Sequence, residues 1–126
     1  MDRTVARILI LLLFLPACRM PTDQSPLLSS LRFEPGAFDS FTASARLRYT
    51  LREPATASAR IIRRTPEGGV QAVATLYQAL HESRGSHSHT WIGNTDGGTF
   101  APAGTYIAVV VVEGEEYETE VRIYHQ

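Results

Sequence analysis

The chain has 126 residues, of which 44% are hydrophobic and 20% are charged, and its formal net charge is −1. This length gives room for one small domain, and the composition is that of a globular protein and not of a disordered one. A nearly neutral chain lacks the basic surface that nucleic-acid binding requires, so nucleic acid is excluded as an expected partner.

The N-terminus is organised like a bacterial secretion signal. Arg3 and Arg7 give it a basic start, and residues 8–15 form an unbroken apolar run. A transmembrane helix needs about 20 apolar residues, so this run is too short to be a permanent membrane anchor. The order of basic start, apolar run and small residue predicts a signal peptide over residues 1–17 that is removed on export.

Cys18, the only cysteine of the chain, follows this leader directly. Residues 15–18, Leu-Pro-Ala-Cys, resemble the lipobox of bacterial lipoproteins, although Pro16 departs from the small residue usual at its position. The resemblance implies that the Cys18 thiol is acylated and that lipid chains then hold the protein on a membrane. Arg19 stands where inner-membrane lipoproteins have Asp, which favours the outer membrane. A plain signal peptide with an incidental cysteine is the alternative.

The chain after Cys18 divides into a tether and a domain. A polar stretch with Pro21 and Pro26 follows the cysteine, and such a composition stays extended and forms no core. We therefore expect residues 18–30 to form a flexible tether. Residues 31–126 are expected to fold as one domain.

In this domain, apolar residues recur at every second position, as on strands with one packed face and one wet face. Leu47, Tyr49 and Leu51, for example, alternate with arginines. Turn sequences rich in Gly and Pro separate the alternating runs. The predicted strands are residues 29–34, 42–51, 56–64, 69–77, 86–92, 104–113 and 116–124. Residues 72–83 have apolar residues at mixed spacings, and we assign them to strand plus loop. The pattern predicts an all-β, immunoglobulin-like sandwich of about seven strands.

A family resemblance is carried by residues 85–112. They resemble the C-terminal half of the FlgD-type immunoglobulin-like domain, whose pattern is Gly-x-His, then Trp-Asp-Gly, then an Asp-x-x-Gly turn and Pro-x-Gly-x-Tyr. The matching residues are His87, Trp91, Gly93, Asp96, Pro102, Gly104 and Tyr106. Ile92 stands where the family usually has Asp.

The resemblance implies structural roles for these residues. Trp91 is expected to close one end of the sandwich with its ring and its indole N–H. Gly93 and the pair Gly97-Gly98 are expected to permit positive φ at a tight connection. Tyr106 resembles the corner tyrosine of sandwich folds, whose hydroxyl bonds to nearby backbone.

Chemistry-bearing residues are few. His87 and His89 lie two apart, which on a strand places both imidazoles on one face, where they could bind zinc or copper. His81 and His125 are further candidates to join them. The spacing fixes no acidic third ligand. No motif for a nucleophile, a phosphate loop or a zinc protease is present, so no enzyme and no cofactor are expected.

Charged residues on the last strand are expected to form a solvated sheet face. Glu118 and Glu120 fall on its polar side. Arg60 and Arg64 are among the arginines that offer cross-strand partners for them.

An apolar outer stripe is the feature that most suggests a partner. In the run 106–112, Tyr106 and its alternate neighbours should face the core, which leaves Ile107, Val109 and Val111 on the outer face. Such a stripe needs a cover. Three leucines, Leu27, Leu28 and Leu31, could supply it, as could a protein partner.

The sequence thus predicts a membrane-tethered, non-enzymatic interaction or structural module of the bacterial cell envelope. It would meet another envelope protein through the apolar stripe or through an edge strand. The alternative function is small-ligand binding, either of a metal at His87 and His89 or of a glycan at exposed Trp and Tyr side chains.

Overall fold

The structure is a computed structural model that describes residues 26–125. The predicted signal peptide, Cys18 and most of the predicted tether lie outside these residues. The described residues form strands joined by turns and loops, and they form no helix. They therefore include no helix long and apolar enough to cross a membrane. Its strands are β1 (Leu28–Glu34), β2 (Ala37–Asp39), β3 (Ala45–Leu51), β4 (Ala55–Arg64), β5 (Val70–Glu82), β6 (Gly85–Trp91), β7 (Gly104–Val112) and β8 (Glu115–Tyr124).

The strands form two sheets that enclose one core. The smaller sheet has the order β1-β3-β6, and the larger has the order β2-β8-β7-β4-β5. All neighbours are antiparallel except β2 and β8, which are parallel. The prediction of an all-β sandwich is therefore confirmed.

The core follows the alternation that the sequence shows. On β3, Leu47, Tyr49 and Leu51 are buried, and on β7 Tyr106 is buried along with every second residue after it. Because each of these positions faces the opposite sheet, the inner faces supply one continuous apolar cluster.

Trp91 and Tyr106 close one end of this core. The Trp91 ring is 1% exposed and lies 6.0 Å from the Phe38 ring and 5.5 Å from the Tyr106 ring, edge to face in both cases. Its indole N–H donates to the Asn94 carbonyl at 3.0 Å. The Tyr106 hydroxyl donates to the Pro102 carbonyl at 2.5 Å, which is the backbone tie expected of a corner tyrosine.

β5 is longer and less regular than its sequence suggested. It has 13 residues opposite the 10 of β4, and its register with β4 shifts at three places. Each extra residue moves the following side chains to the other face. Three such shifts remove the simple alternation, which explains why residues 72–83 show mixed spacings although most of them are strand.

Two further differences concern the start of the domain. β1 begins at Leu28, three residues before the expected domain start at residue 31, and Leu28 is only 3% exposed. β2 was not predicted. It consists of three residues beside the end of β8, and the turn at Glu34 and Pro35 carries the chain to it from the other sheet.

The sandwich has two ends, which we call the tether end and the far end. At the tether end, Leu27 accepts a hydrogen bond from the amide of Arg52, and Leu28 pairs with Leu51. The far end holds residues 40–44, residues 92–103 and the end of β8. The seven residues of β3 separate the two ends by roughly 20 Å at about 3.3 Å a residue.

Candidate functional site

The predicted outer stripe is already covered. Val109 is 1% exposed and Ile107 is 7% exposed, and with Ile62 they form a small second cluster against which Val111 packs. The side chains do lie on the outer face, as the alternation predicted. Ile107 and Val109 are buried, however, and of the three stripe residues only Val111 is partly exposed, so the stripe offers little open surface.

Charged side chains, and not the leucines near the tether, cover this stripe. Val109 lies between Arg60 and Glu118 in the cross-strand register. Arg64 reaches across β7 to Glu118, with Nη2 and Oε1 2.9 Å apart. The aliphatic stems of such long side chains shield apolar surface while their charges stay in water.

The leucines pack elsewhere. Leu28 belongs to the main core, and Leu27 and Leu31 pack against that core. The expectation that they cover the stripe is wrong, because β1 pairs with β3 in the smaller sheet and its leucines face the interior of the sandwich.

His87 and His89 do share one face of β6, and that face looks inward towards β5. There they meet Glu82, a carboxylate that is 6% exposed. The His89 Nε2 atom lies 2.7 Å from Glu82 Oε2, and the His87 Nδ1 atom lies 3.4 Å from the same oxygen. No residue pattern pointed to Glu82, because the bulges of β5 hide which of its residues face inward.

Two tyrosines complete this polar cluster. The Tyr49 hydroxyl donates a short hydrogen bond to Glu82 Oε1 and lies 2.5 Å from the Tyr77 hydroxyl. Because the Tyr49 proton is given to the carboxylate, Tyr77 acts as the donor to Tyr49. Glu82 therefore joins β5 of one sheet to β3 and β6 of the other.

The cluster is not a prepared metal site. No three His, Cys, Asp or Glu side chains within residues 26–125 are arranged to hold a metal ion. His81 instead lies 3.4 Å from the Thr56 hydroxyl, and His125 lies 3.1 Å from the Ser40 hydroxyl at the far end. Trp91 is buried, which also removes it as an exposed glycan platform.

The cluster changes the acidity of its tyrosines. Burial, opposed by the Tyr49 hydrogen bond and reinforced by the nearby Glu82 carboxylate, raises the pKa of Tyr77 to about 12. Burial and the hydrogen bond to Glu82 hold the pKa of Tyr49 well above its usual range. Both phenols are thus stabilised in their neutral form.

We expect the protein to lose stability in alkaline solution through these two hydroxyls. Since their folded pKa values lie above the unfolded value of about 10, the stabilisation is complete below that pH and is lost as the pH rises through 12. Urea unfolding across this range should show the loss, and tyrosinate absorbance should rise with unfolding. Tyr77→Phe should flatten the dependence; an unchanged slope in this variant would remove Tyr77 as its source.

Three of the four edge strands are guarded against pairing with another chain. β1 has a bulge between Ser29 and Arg32, and β2 has only three residues. On β5, besides the bulges, the amide of Asp96 donates to the Val73 carbonyl at 3.0 Å and the Asp96 side chain accepts from the Thr75 amide at 2.9 Å. Bulges, shortness and loop cover are the usual means by which sheet edges avoid association.

β6 has none of these protections. It pairs with β3 in unbroken register from Gly85 to Trp91, and within residues 26–125 no strand lies on its other side. Its exposed face carries Ser86, Ser88 and Thr90, which are small and uncharged. A regular seven-residue edge without charge is suited to accept an added strand.

No protein-family model matches the chain, and no curated protein matches it significantly.

Proposed function

We propose that the chain is a membrane-tethered, non-enzymatic interaction module of the bacterial cell envelope, and that it meets its partner through the free edge of β6. The observation that carries this proposal is the contrast between β6 and the three guarded edges. A partner segment paired to β6 would gain main-chain hydrogen bonds without disturbing the sandwich.

The tether is the second part of the proposal. Acylation of Cys18 would anchor the protein, and the proline-containing segment after it would join the anchor to the sandwich. In support, Leu27 and Leu28 lie at one end of the sandwich, so the tether would join the domain at that end. We place this anchor in the outer membrane on the basis of Arg19.

We also propose that the domain is of the FlgD-type immunoglobulin-like kind. The hydrogen bonds of Trp91 and Tyr106 support this assignment, because they give both residues the structural roles that the family pattern implies. In such a domain the pattern residues hold the fold, and binding is left to the edges and ends.

The experiment compares full-length variants in the cells that make the protein, with a photo-crosslinking residue at Thr90. The parent should carry lipid and give one crosslinked adduct of defined mass. Cys18→Ser should lose the lipid and leave the membrane fraction. Ser86→Lys/Ser88→Lys should stay on the membrane but lose the adduct, since lysine on an edge opposes strand pairing.

Ser29→Lys, an equivalent change on exposed β1, is the matched control and should keep both lipid and adduct. An adduct that survives the double lysine change would exclude the β6 edge. A parent protein without lipid on Cys18 would exclude the tether.

A further inference from the structure

Exposed aromatic side chains gather at the far end of the sandwich. Phe41 is 56% exposed, and Phe100 and Ile92 are each 54% exposed. The Phe41 and Phe100 rings meet edge to face at 5.1 Å, and the His125 ring stacks on Phe41 at 4.1 Å. We call Phe41, Ile92, Phe100 and His125 the far-end patch. Large rings in mutual contact and open to water are unusual on a small domain and mark interaction sites.

The patch is held in place by the backbone beneath it. The amides of Thr42 and Ala43 both donate to the Asp39 carbonyl, and the Asp39 side chain accepts from the Phe41 amide at 3.0 Å. On the other side, the Ala101 amide donates to the Gly93 carbonyl at 2.7 Å. A ligand would therefore meet rings that are already ordered, which lowers the entropic cost of binding.

A cleft of about 480 Å³ lies beside Phe41. Pro35, Phe38 and Tyr124 are among the residues that line it together with Phe41. The patch and the cleft thus form an apolar ridge with a neighbouring groove, in which Asp39 and Thr42 lie among apolar side chains.

We propose that this ridge and groove bind a short extended segment of another envelope protein, one that carries uncharged aromatic or aliphatic side chains. Three side chains that are about half exposed offer on the order of 300 Å² of apolar surface. A stable dimer buries about 800 Å² on each partner, so the patch is too small for a second copy of the chain and is of a size for a peptide.

The position of the patch argues against a lipid occupant. It lies at the opposite end from the point where the chain joins its N-terminal segment, roughly 20 Å away along the strands. This step rests on the proposed tether at Cys18, which would hold the tether end nearest the membrane. The patch would then face away from the lipid and towards other proteins.

The test uses the full-length protein in lipid nanodiscs and a phage-displayed library of random peptides as the probe, with empty nanodiscs as the background. Peptides selected against the protein should be uncharged and rich in aromatic and aliphatic residues. Their affinity should fall at least tenfold in Phe41→Ser and in Phe100→Ser. Val70→Ser, which changes an equally exposed residue outside the patch, should bind like the parent.

Three results would overturn the proposal: selected peptides that bind Phe41→Ser as tightly as the parent, no peptide selected above the empty-nanodisc background, or a self-association of the protein that Phe41→Ser abolishes. These results also distinguish a failure of the far-end patch proposal from a failure of the β6 edge proposal. Ser86→Lys/Ser88→Lys should leave peptide binding unchanged, and Phe41→Ser should leave the Thr90 crosslink unchanged.

Discussion

Replacing Glu82 by alanine should lower the free energy of unfolding by about 2 to 6 kcal/mol, because two donors lose their acceptor at about 1 to 3 kcal/mol each. The change would leave the Tyr49 hydroxyl and the His89 imidazole facing a small cavity without their acceptor. Buried donors without partners carry the full cost of their lost hydration. Urea unfolding monitored by circular dichroism would measure the loss.

Two further variants serve as controls for the Glu82→Ala result. Glu82→Gln keeps an acceptor for one donor and nearly the same volume, so it should cost clearly less than alanine. Glu120→Ala removes a carboxylate from the exposed face of β8 and should change stability by less than about 0.5 kcal/mol. If Glu82→Ala were no more damaging than Glu120→Ala, the cluster would not be what joins the two sheets at this edge.

Gly93→Ala should cost about 2 to 4 kcal/mol, because two penalties combine there. Gly93 has a φ of +83°, which an L side chain rarely adopts, and a Cβ at this position would lie 2.5 Å from the Cβ of Ser40. Neither atom can rotate away, so the backbone must shift. The midpoint of thermal or urea unfolding would report the cost.

Gly98→Ala separates the two penalties. Gly98 has nearly the same φ, +86°, but a Cβ there would meet nothing within 4 Å. This variant should lose only the conformational part, about 1 kcal/mol. Equal losses in the two variants would mean that contact with Ser40 contributes nothing.

The sequence predicted the regular part of this fold well, for a definite reason. On β3 and β8 one face packs in the core and the other faces solvent, so apolar and polar residues alternate along these strands. The prediction from sequence failed at β5, because three bulges shift the alternation there. It also failed at β2, because a strand of three residues is too short to show a period. Both failures occur where chain geometry is set by neighbours and not by local pattern.

The candidate site was less predictable than the fold. The spacing of His87 and His89 gave their common face but not the carboxylate they would meet, since Glu82 comes from the irregular end of β5. The stripe at Val109 was placed on the right face, and Arg64 and Glu118 were among the residues expected to form cross-strand pairs. That this pair closes over the stripe depends on side-chain reach, which no residue pattern reveals.

The bulge on β1 has a consequence for the strand addition proposed at β6. Sheets polymerise when each unit offers two competent borders, since every addition then creates a new place to add. In the smaller sheet the edge opposite β6 is β1, which the bulge between Ser29 and Arg32 makes irregular. A strand added at β6 therefore ends growth instead of renewing it. Such a molecule can couple once, at high local density, without seeding a fibril.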